Sequence, residues 1–242
     1  LWVHGYSHAD HLKALAIGRR LGLRTLLRDD ATDTNRRRSF FRRLAKRTAF
    51  LAIDRFIDRY LAVGSANARH WGTMGVATEK IVVMPYAVDN ARFARDADAA
   101  GAASVRRDLG IGAKQPLILF AAKMIPLKRP FDVLEAVASL QRQTSLAPAL
   151  VLAGDGALMS DLQQAIRRLG LRDTHLAGFC SQTELARLYG AADVLVLASE
   201  GETWGLVLNE AMAAGCAVVA SDRVGAAPDL VRDNGLVYPV GD

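Results

Sequence analysis

The sequence predicts an α/β protein of two doubly wound domains, each a parallel sheet with helices packed on it. Three observations carry that prediction. Period-2 or continuous apolar runs alternate with helix-period stretches along the 242 residues, the signature of strands connected by crossover helices. Hydrophobic residues make up 51% and aromatic residues only 7%, so Ala, Leu and Val dominate, as they do where helices cover buried parallel strands. One small, patternless stretch, Asp96 to Ser104, interrupts the alternation and reads as a linker. The expected domains are therefore 1–95, a partial Rossmann-like unit, and 105–242, a second one that stops before its last helix.

In the N-terminal part, LWV, a helix from Ala9 to Leu21 and the strand RTLL form a β-α-β unit. A basic amphipathic stretch from Ser39 to Ile57 follows. Then come the strand RYLAV, a helix capped near Ser65 and the strand KIVVM, stopped by Pro85. The C-terminal part runs PLILFAA, helix Arg129 to Arg142, ALVLAG, helix Met159 to Leu169, THLAG, helix Thr183 to Tyr189 and DVLVLA. It closes with helix Leu206 to Ala213, CAVVAS, a short helix near Pro228 and LVYPV. Right-handed crossovers then make both sheets parallel.

Composition narrows the function classes. With 23% charged residues the chain is not of a disordered type. No apolar run approaches the ~20 residues that span a bilayer. The chain opens and closes on strand-like segments, LWVHG and LVYPV, so both ends read as cut from a longer protein. Cys180 and Cys216 stand alone, without metal-ligand spacing, and read as small buried hydrophobes of a reducing compartment. The net charge of +6 is concentrated in Arg36, Arg37, Arg38, Arg42, Arg43, Lys46 and Arg47. Such a block suits nucleic acid, anionic lipid, a phosphorylated substrate or plain solvation of a helix face. No nucleic-acid recognition module accompanies it.

Ligands of open parallel sheets sit beyond the C-terminal strand ends, so the residues after each strand are the candidates. Lys123 and Lys128 follow PLILFAA and read as a diphosphate clamp or as solvated lysines. Gly154-Asp155-Gly156 follows ALVLAG, and Gly178-Phe179 ends THLAG, where the ring faces either a ligand or the core. DVLVLA leads into SEGETWGLVLNEAMAAG. Here Glu202 lies on a Gly-rich loop, and Glu210 lies within the helix that starts near Leu206. The N–H groups of Thr203, Trp204, Gly205 and Leu206 gather at that helix's N-terminus, where a positive dipole end suits oxygen ligands. A carboxylate in an otherwise apolar helix needs a partner. A sugar diol would serve Glu210, and a salt bridge is the alternative.

The Ser199–Ser221 segment resembles the E-x7-E region of family 4 retaining glycosyltransferases (glycosyl transferases group 1), which adopt the GT-B fold. RYLAVGSANARHWGTMGVATEKIVVMPYAVDNARF, FAAKMIPLKRPFDVLEA, LVLAGDGALMSDL and HLAGFCSQTELARLYGAADVLVLAS resemble further stretches of that family in the same order. The resemblance implies two Rossmann-like domains facing a cleft and transfer of a hexose from a nucleoside-diphosphate sugar. The acceptor would be a glycan or lipid-linked molecule, with configuration retained and neither metal nor cofactor. Glu210 would hold the ribose, and Glu202 with the 203–206 backbone the donor sugar. Lys128 would bind phosphate together with Lys123, which stands where the family usually has arginine. Gly178 and Phe179 would border the base. On the acceptor side the resemblance points to His4, His8 and Arg28, with Arg28-Asp29-Asp30 standing where a histidine is usual; His4 and His8 read equally as ordinary exposed histidines. A cytoplasmic protein is implied, with peripheral contact to anionic membrane through the basic run. A donor-binding fragment without turnover and a GT-B nucleotide-sugar epimerase are the alternatives.

Overall fold

The computed structural model describes residues 1–32, 47–48, 50–143 and 147–242. They form two compact units, Leu1–Tyr86 and Ala87–Asp242. Most of the basic run, Arg36 to Lys46, lies outside the described residues, whereas Arg47 is exposed.

The first unit carries a parallel sheet in the order β1 (Trp2–His4), β2 (Leu26–Asp29), β3 (Arg59–Ala62), β4 (Ile81–Val83). Its core is aromatic. Trp71, from helix Ser65–Thr73, is fully buried and stacks on Phe50 with ring centroids 5.5 Å apart, and Tyr60 lies 5.0 Å from Trp71. A buried phenol needs a polar partner, and the Tyr60 hydroxyl donates to Asp54 at 2.8 Å. Asn67 fastens the loops beyond β2 and β3 by donating to the Ala31 carbonyl at 2.7 Å and accepting from the Val63 N–H at 3.1 Å. The helix starts one residue from where the sequence put it, with Gly64 rather than Ser65 at the N-cap.

The second unit is a six-stranded parallel sheet of β5 (Leu117–Ala121), β6 (Ala149–Ala153), β7 (Thr174–Gly178), β8 (Val194–Leu197), β9 (Ala217–Ser221) and β10 (Gly235–Tyr238). The spatial order is β10-β9-β8-β5-β6-β7, every pair parallel. β6 is buried along its whole length, which explains why ALVLA has no polar alternation.

The stretch 96–104 is not a linker. Helices Asn90–Asp96 and Ala99–Asp108 cover that region, and the units divide between Tyr86 and Ala87 instead. The small residues serve close packing of helices. Asp89 and Asp98 are N-caps, accepting from the Arg92 and Gly101 N–H groups at 2.9 and 2.8 Å. The Ala97 carbonyl comes so near Gly190 of helix Gln182–Ala191 that a Cβ there would lie 2.6 Å from it. A run of Ala and Gly lacks the apolar stripe that marks a helix in sequence.

Beyond β5 and β6 the connections touch backbone to backbone. Gly154 and Gly156 have φ of 134° and 158°, and a Cβ on Gly154 would stand 1.9 Å from the Ala122 carbonyl oxygen. We expect Gly154→Ala to cost at least ~2 kcal/mol through backbone strain and overpacking. A thermal melt of the chain should then fall by roughly 4 °C or more, and an unchanged melt would show that this contact can relax.

Candidate functional site

The strand order of the second unit reverses between β5 and β8, because the chain winds outward through β6 and β7 and then returns to the other side of β5. The loops leaving two such strands part company and open a crevice at their C-terminal ends. Here those loops are 122–129 and 198–205, joined where the Glu200 N–H donates to the Leu127 carbonyl at 2.8 Å.

The two sequence candidates on these loops meet. Lys128, in the 3-10 turn Pro126–Lys128, forms an ion pair with the Glu202 carboxylate through Nζ. The two side chains are only 16% and 22% exposed. Beside them Arg129 adopts a left-handed conformation, φ 51°, and its guanidinium donates to Asp132 at 2.6 Å.

Glu202 is held through its backbone. Its N–H donates to the Arg223 carbonyl at 3.1 Å and its carbonyl accepts from the Gly225 N–H at 2.9 Å. The segment thus adds a short strand-like bridge between the loops after β8 and β9. Only glycine fits at 225, where a Cβ would lie 2.0 Å from the Thr203 carbonyl oxygen. Trp204 is a packing anchor, 3% exposed, with its indole N–H donating to Asn209 at 2.9 Å. Its side chain is thereby unavailable to a ligand, and what this stretch offers is backbone. Gly205, φ 100°, is the N-cap of helix Leu206–Ala213, and no side chain caps that end; the helix therefore begins at the end of the loop that carries Glu202.

An open cavity of ≈ 320 Å³ lies against this rim, with Lys123, Gly154, Phe179, Cys180, Leu185 and Val207 in its wall. Lys123 is exposed, and Phe179 is 83% exposed, so its ring belongs to the surface rather than to the core. Cys180 is half-buried, contrary to the expectation of two buried thiols, and burial pushes its thiol upward. Cys216 is buried and pushed up to about 12.

Val207 and Leu185 face this cavity from two helices, and one turn farther along them stand Glu210 and Tyr189. Tyr189 is fully buried and donates its hydroxyl to Glu210 Oε2 at 2.9 Å. Burial raises the Glu210 pKa above the ordinary carboxylate range, opposed by that hydrogen bond and by the charge of Arg92. One oxygen of this carboxylate has a neutral partner within the protein, which is neither the sugar diol nor the salt bridge expected from the sequence. Tyr189, Arg92, Leu185 and Val207 were not singled out from the sequence. The signal for Tyr189 was a phenol inside LARLYGAA, an apolar setting in which a hydroxyl requires a partner.

In the first unit, His4 and Arg28 are register partners at the C-terminal ends of β1 and β2. His8 is the exposed N-cap of helix Ala9–Arg20, its ring 5.4 Å from that of His11. Arg28 is buried with its guanidinium 4.6 Å from the Tyr86 ring centroid, so its plane is engaged by an aromatic face. Among the described residues no group of three or more His, Cys, Asp or Glu could hold a metal ion, and no helix is long and apolar enough to cross a membrane.

Residues 103–242 match the family described as glycosyl transferases group 1. A D-inositol 3-phosphate glycosyltransferase of Streptomyces bingchenggensis (strain BCW-1) is 36% identical over 199 residues, covering 78% of this chain and 42% of that protein. An N-acetyl-alpha-D-glucosaminyl L-malate synthase of Bacillus anthracis is 31% identical over 140 residues, 57% of this chain and 36% of that protein. The chain thus spans less than half the length of these curated relatives. Among solved structures, Anabaena Alr3699/HepE in complex with UDP superimposes with a TM-score of 0.80 at 21% identity, over 100% of this chain and 65% of that one. Sucrose-phosphate synthase from Thermosynechococcus elongatus does so with a TM-score of 0.67 at 20% identity, over 100% and 61%. The fold is that of the GT-B glycosyltransferases, as the sequence implied.

Glu210 yields a stability prediction with a definite sign. Its folded-state pKa lies above the unfolded value, so the folded chain binds this proton more tightly and ionisation costs stability. The deficit is absent below the ordinary carboxylate range and grows as pH rises toward the raised pKa. Glu210→Gln, which keeps the shape and an acceptor for Tyr189, should therefore melt about 1–3 °C above the native chain at pH 8. The gap should close below about pH 4. A variant that melts lower at pH 8 would show that the Tyr189 hydrogen bond outweighs burial.

Proposed function

Because the chain belongs to the glycosyl transferases group 1 family, we propose that its second unit binds a nucleoside-diphosphate sugar and that the whole protein transfers the hexose with retained configuration. The acceptor is a glycan or a lipid-linked molecule, and no divalent metal takes part. The observation that carries this reading is the Lys128–Glu202 pair at the strand-order reversal, beside an uncapped helix N-terminus.

The proposed chemistry is differential stabilisation of charge. As the glycosidic bond breaks, negative charge accumulates on the departing diphosphate, and preorganised donors lower the barrier most. Lys128, paired with Glu202, and Lys123, in the wall of the cavity, supply positive charge, and the N–H groups from Thr203 to Leu206 supply donors at the start of helix Leu206–Ala213. Glu202, freed in part from Lys128 when phosphate arrives, accepts from the hydroxyls of the donor sugar. Glu210 accepts from the ribose, and the base lies in the cavity beside Gly178 and Phe179, where a planar ring meets an apolar wall. The UDP and UDP-glucose complexes of the Anabaena neighbour make uridine nucleotides the first to try. His4, His8 and Arg28 face the acceptor in this reading. The basic run Arg36 to Arg47 lets a cytoplasmic protein touch anionic membrane, which flotation with anionic vesicles tests.

A second reading is a donor-binding fragment without turnover, favoured by the chain's coverage of 42% of its inositol-phosphate relative. An epimerase reading has no observation of its own. Binding and transfer separate the first two, because a fragment would bind nucleotide sugar yet leave every acceptor unmodified.

In calorimetric titration with UDP, Lys128→Ala should weaken binding about 10- to 100-fold, the worth of a charge-assisted hydrogen bond. Glu202→Ala should leave UDP affinity within a few-fold while abolishing preference for the UDP-sugar. Equal UDP affinity in Lys128→Ala and the native chain would remove the diphosphate assignment. For the full-length parent we expect transfer in the presence of EDTA and an unchanged anomeric configuration by proton NMR; loss of turnover in EDTA would overturn metal independence.

A further inference from the structure

We propose that Tyr189 is a positioning residue for nucleotide recognition: its hydroxyl commits one oxygen of Glu210 and leaves the other as the acceptor that distinguishes ribose from deoxyribose. The inference rests on the ribose role given to Glu210 above and adds the group that makes that carboxylate selective.

Glutamate is a poor reader of a diol when it is free to turn. Its side chain holds up to about 2 kcal/mol of rotamer entropy, and an unrestrained carboxylate meets a ligand by giving that up. In this fold the restraint is already present. Tyr189 is fully buried and its Oη reaches Glu210 Oε2 at 2.9 Å. The tyrosine is itself fixed, since its ring packs against Phe93 with centroids 6.2 Å apart. The adjacent Gly190 lets its helix sit against the Ala97 carbonyl.

Arg92 adds a charge to the arrangement, acting on Glu210 through its field. It lies near enough to favour the charged form of Glu210. Two of its donors are engaged elsewhere, with Gln182 at 2.7 Å and Asp96 at 3.4 Å. Helices Asn90–Asp96, Gln182–Ala191 and Leu206–Ala213 therefore converge on one carboxylate. A single neutral donor occupies one of its oxygens, next to a cavity whose wall includes the preceding turns of two of those helices. Were Tyr189 present for packing alone, a phenylalanine would fill the same space without a buried hydroxyl to satisfy.

The test is a ratio, which a general loosening of structure does not move. The chain is titrated calorimetrically with UDP and 2′-deoxy-UDP, and with the GDP and ADP pairs, in the native form and in Tyr189→Phe and Glu210→Gln. We expect the native chain to prefer one ribonucleotide over its 2′-deoxy form by about tenfold or more, as a site built around a hydroxyl does. Tyr189→Phe should reduce that preference to about threefold or less while leaving the deoxynucleotide affinity within about twofold. Tyr189→Leu repeats the measurement should the first variant not fold. If Glu210→Gln keeps the full preference, or if no nucleotide binds, the ribose reading falls and this inference with it. Should Glu210→Gln lose the preference while Tyr189→Phe keeps it, or weaken both nucleotides equally, the positioning role alone is overturned.

Discussion

The candidate site depends on one topological constraint, that β5 and β8 lie side by side although β6 and β7 separate them in sequence. Their connections must leave in opposite directions, so the floor between them cannot be closed by either loop alone. What closes it is contact between loops. The Glu200 N–H bonds to Leu127, which brings the start of one loop to the end of the other and carries Lys128 to Glu202. Neither residue would have reason to meet the other if the sheet ran in simple sequence order.

Glycine decides how finely that contact can be set. A parallel rim exposes carbonyl and N–H groups that must find partners, and here neighbouring loops supply them to each other at van der Waals distance. Gly154 and Gly156 lay the loop after β6 upon the loop after β5, while Gly225 lays the loop after β9 upon Thr203. Side chains at these positions would separate the layers, and the functional groups would move with them. Rigidity of the backbone thus precedes placement of Glu202 and of the helix N-terminus. Trp204, buried and bonded to Asn209, fixes the same turn from inside.

Much of this was legible in the sequence, because buried parallel strands are written as apolar runs and both strand and crossover periods survive in ALVLAG and MSDLQQAIRRL. The E-x7-E spacing and the lysines after the first C-terminal strand marked loops that the fold brings together, Lys128 meeting Glu202. The helix Ala99–Asp108 was not legible, since a run of Ala and Gly permits close approach of helices without an apolar stripe, and Gly lowers helix propensity. Nor was the packing role of the Trp204 side chain, since the sequence marked only its backbone N–H and the indole's bond to Asn209 is a tertiary contact within the turn. Glu210 was read as a group in need of a partner, which was correct. Its partner was a residue twenty-one positions away, a pairing that no local spacing encodes.

The two carboxylates differ in a way that the fold, rather than their chemistry, imposes. Glu202 meets a cation, so its charge is balanced within the protein. Glu210 meets a neutral hydroxyl, with Arg92 acting only from a distance. Burial then disfavours its charge, and the folded chain retains a group whose ionised form weakens it. Glu210 satisfies the buried Tyr189 hydroxyl, yet a neutral acceptor of similar shape would do so at lower cost. On the proposed function an incoming pair of hydroxyls would offset that cost, since their hydrogen bonds would stabilise the same charge that burial penalises. On that proposal the cost of ionising Glu210 and its capacity to read a diol are one property.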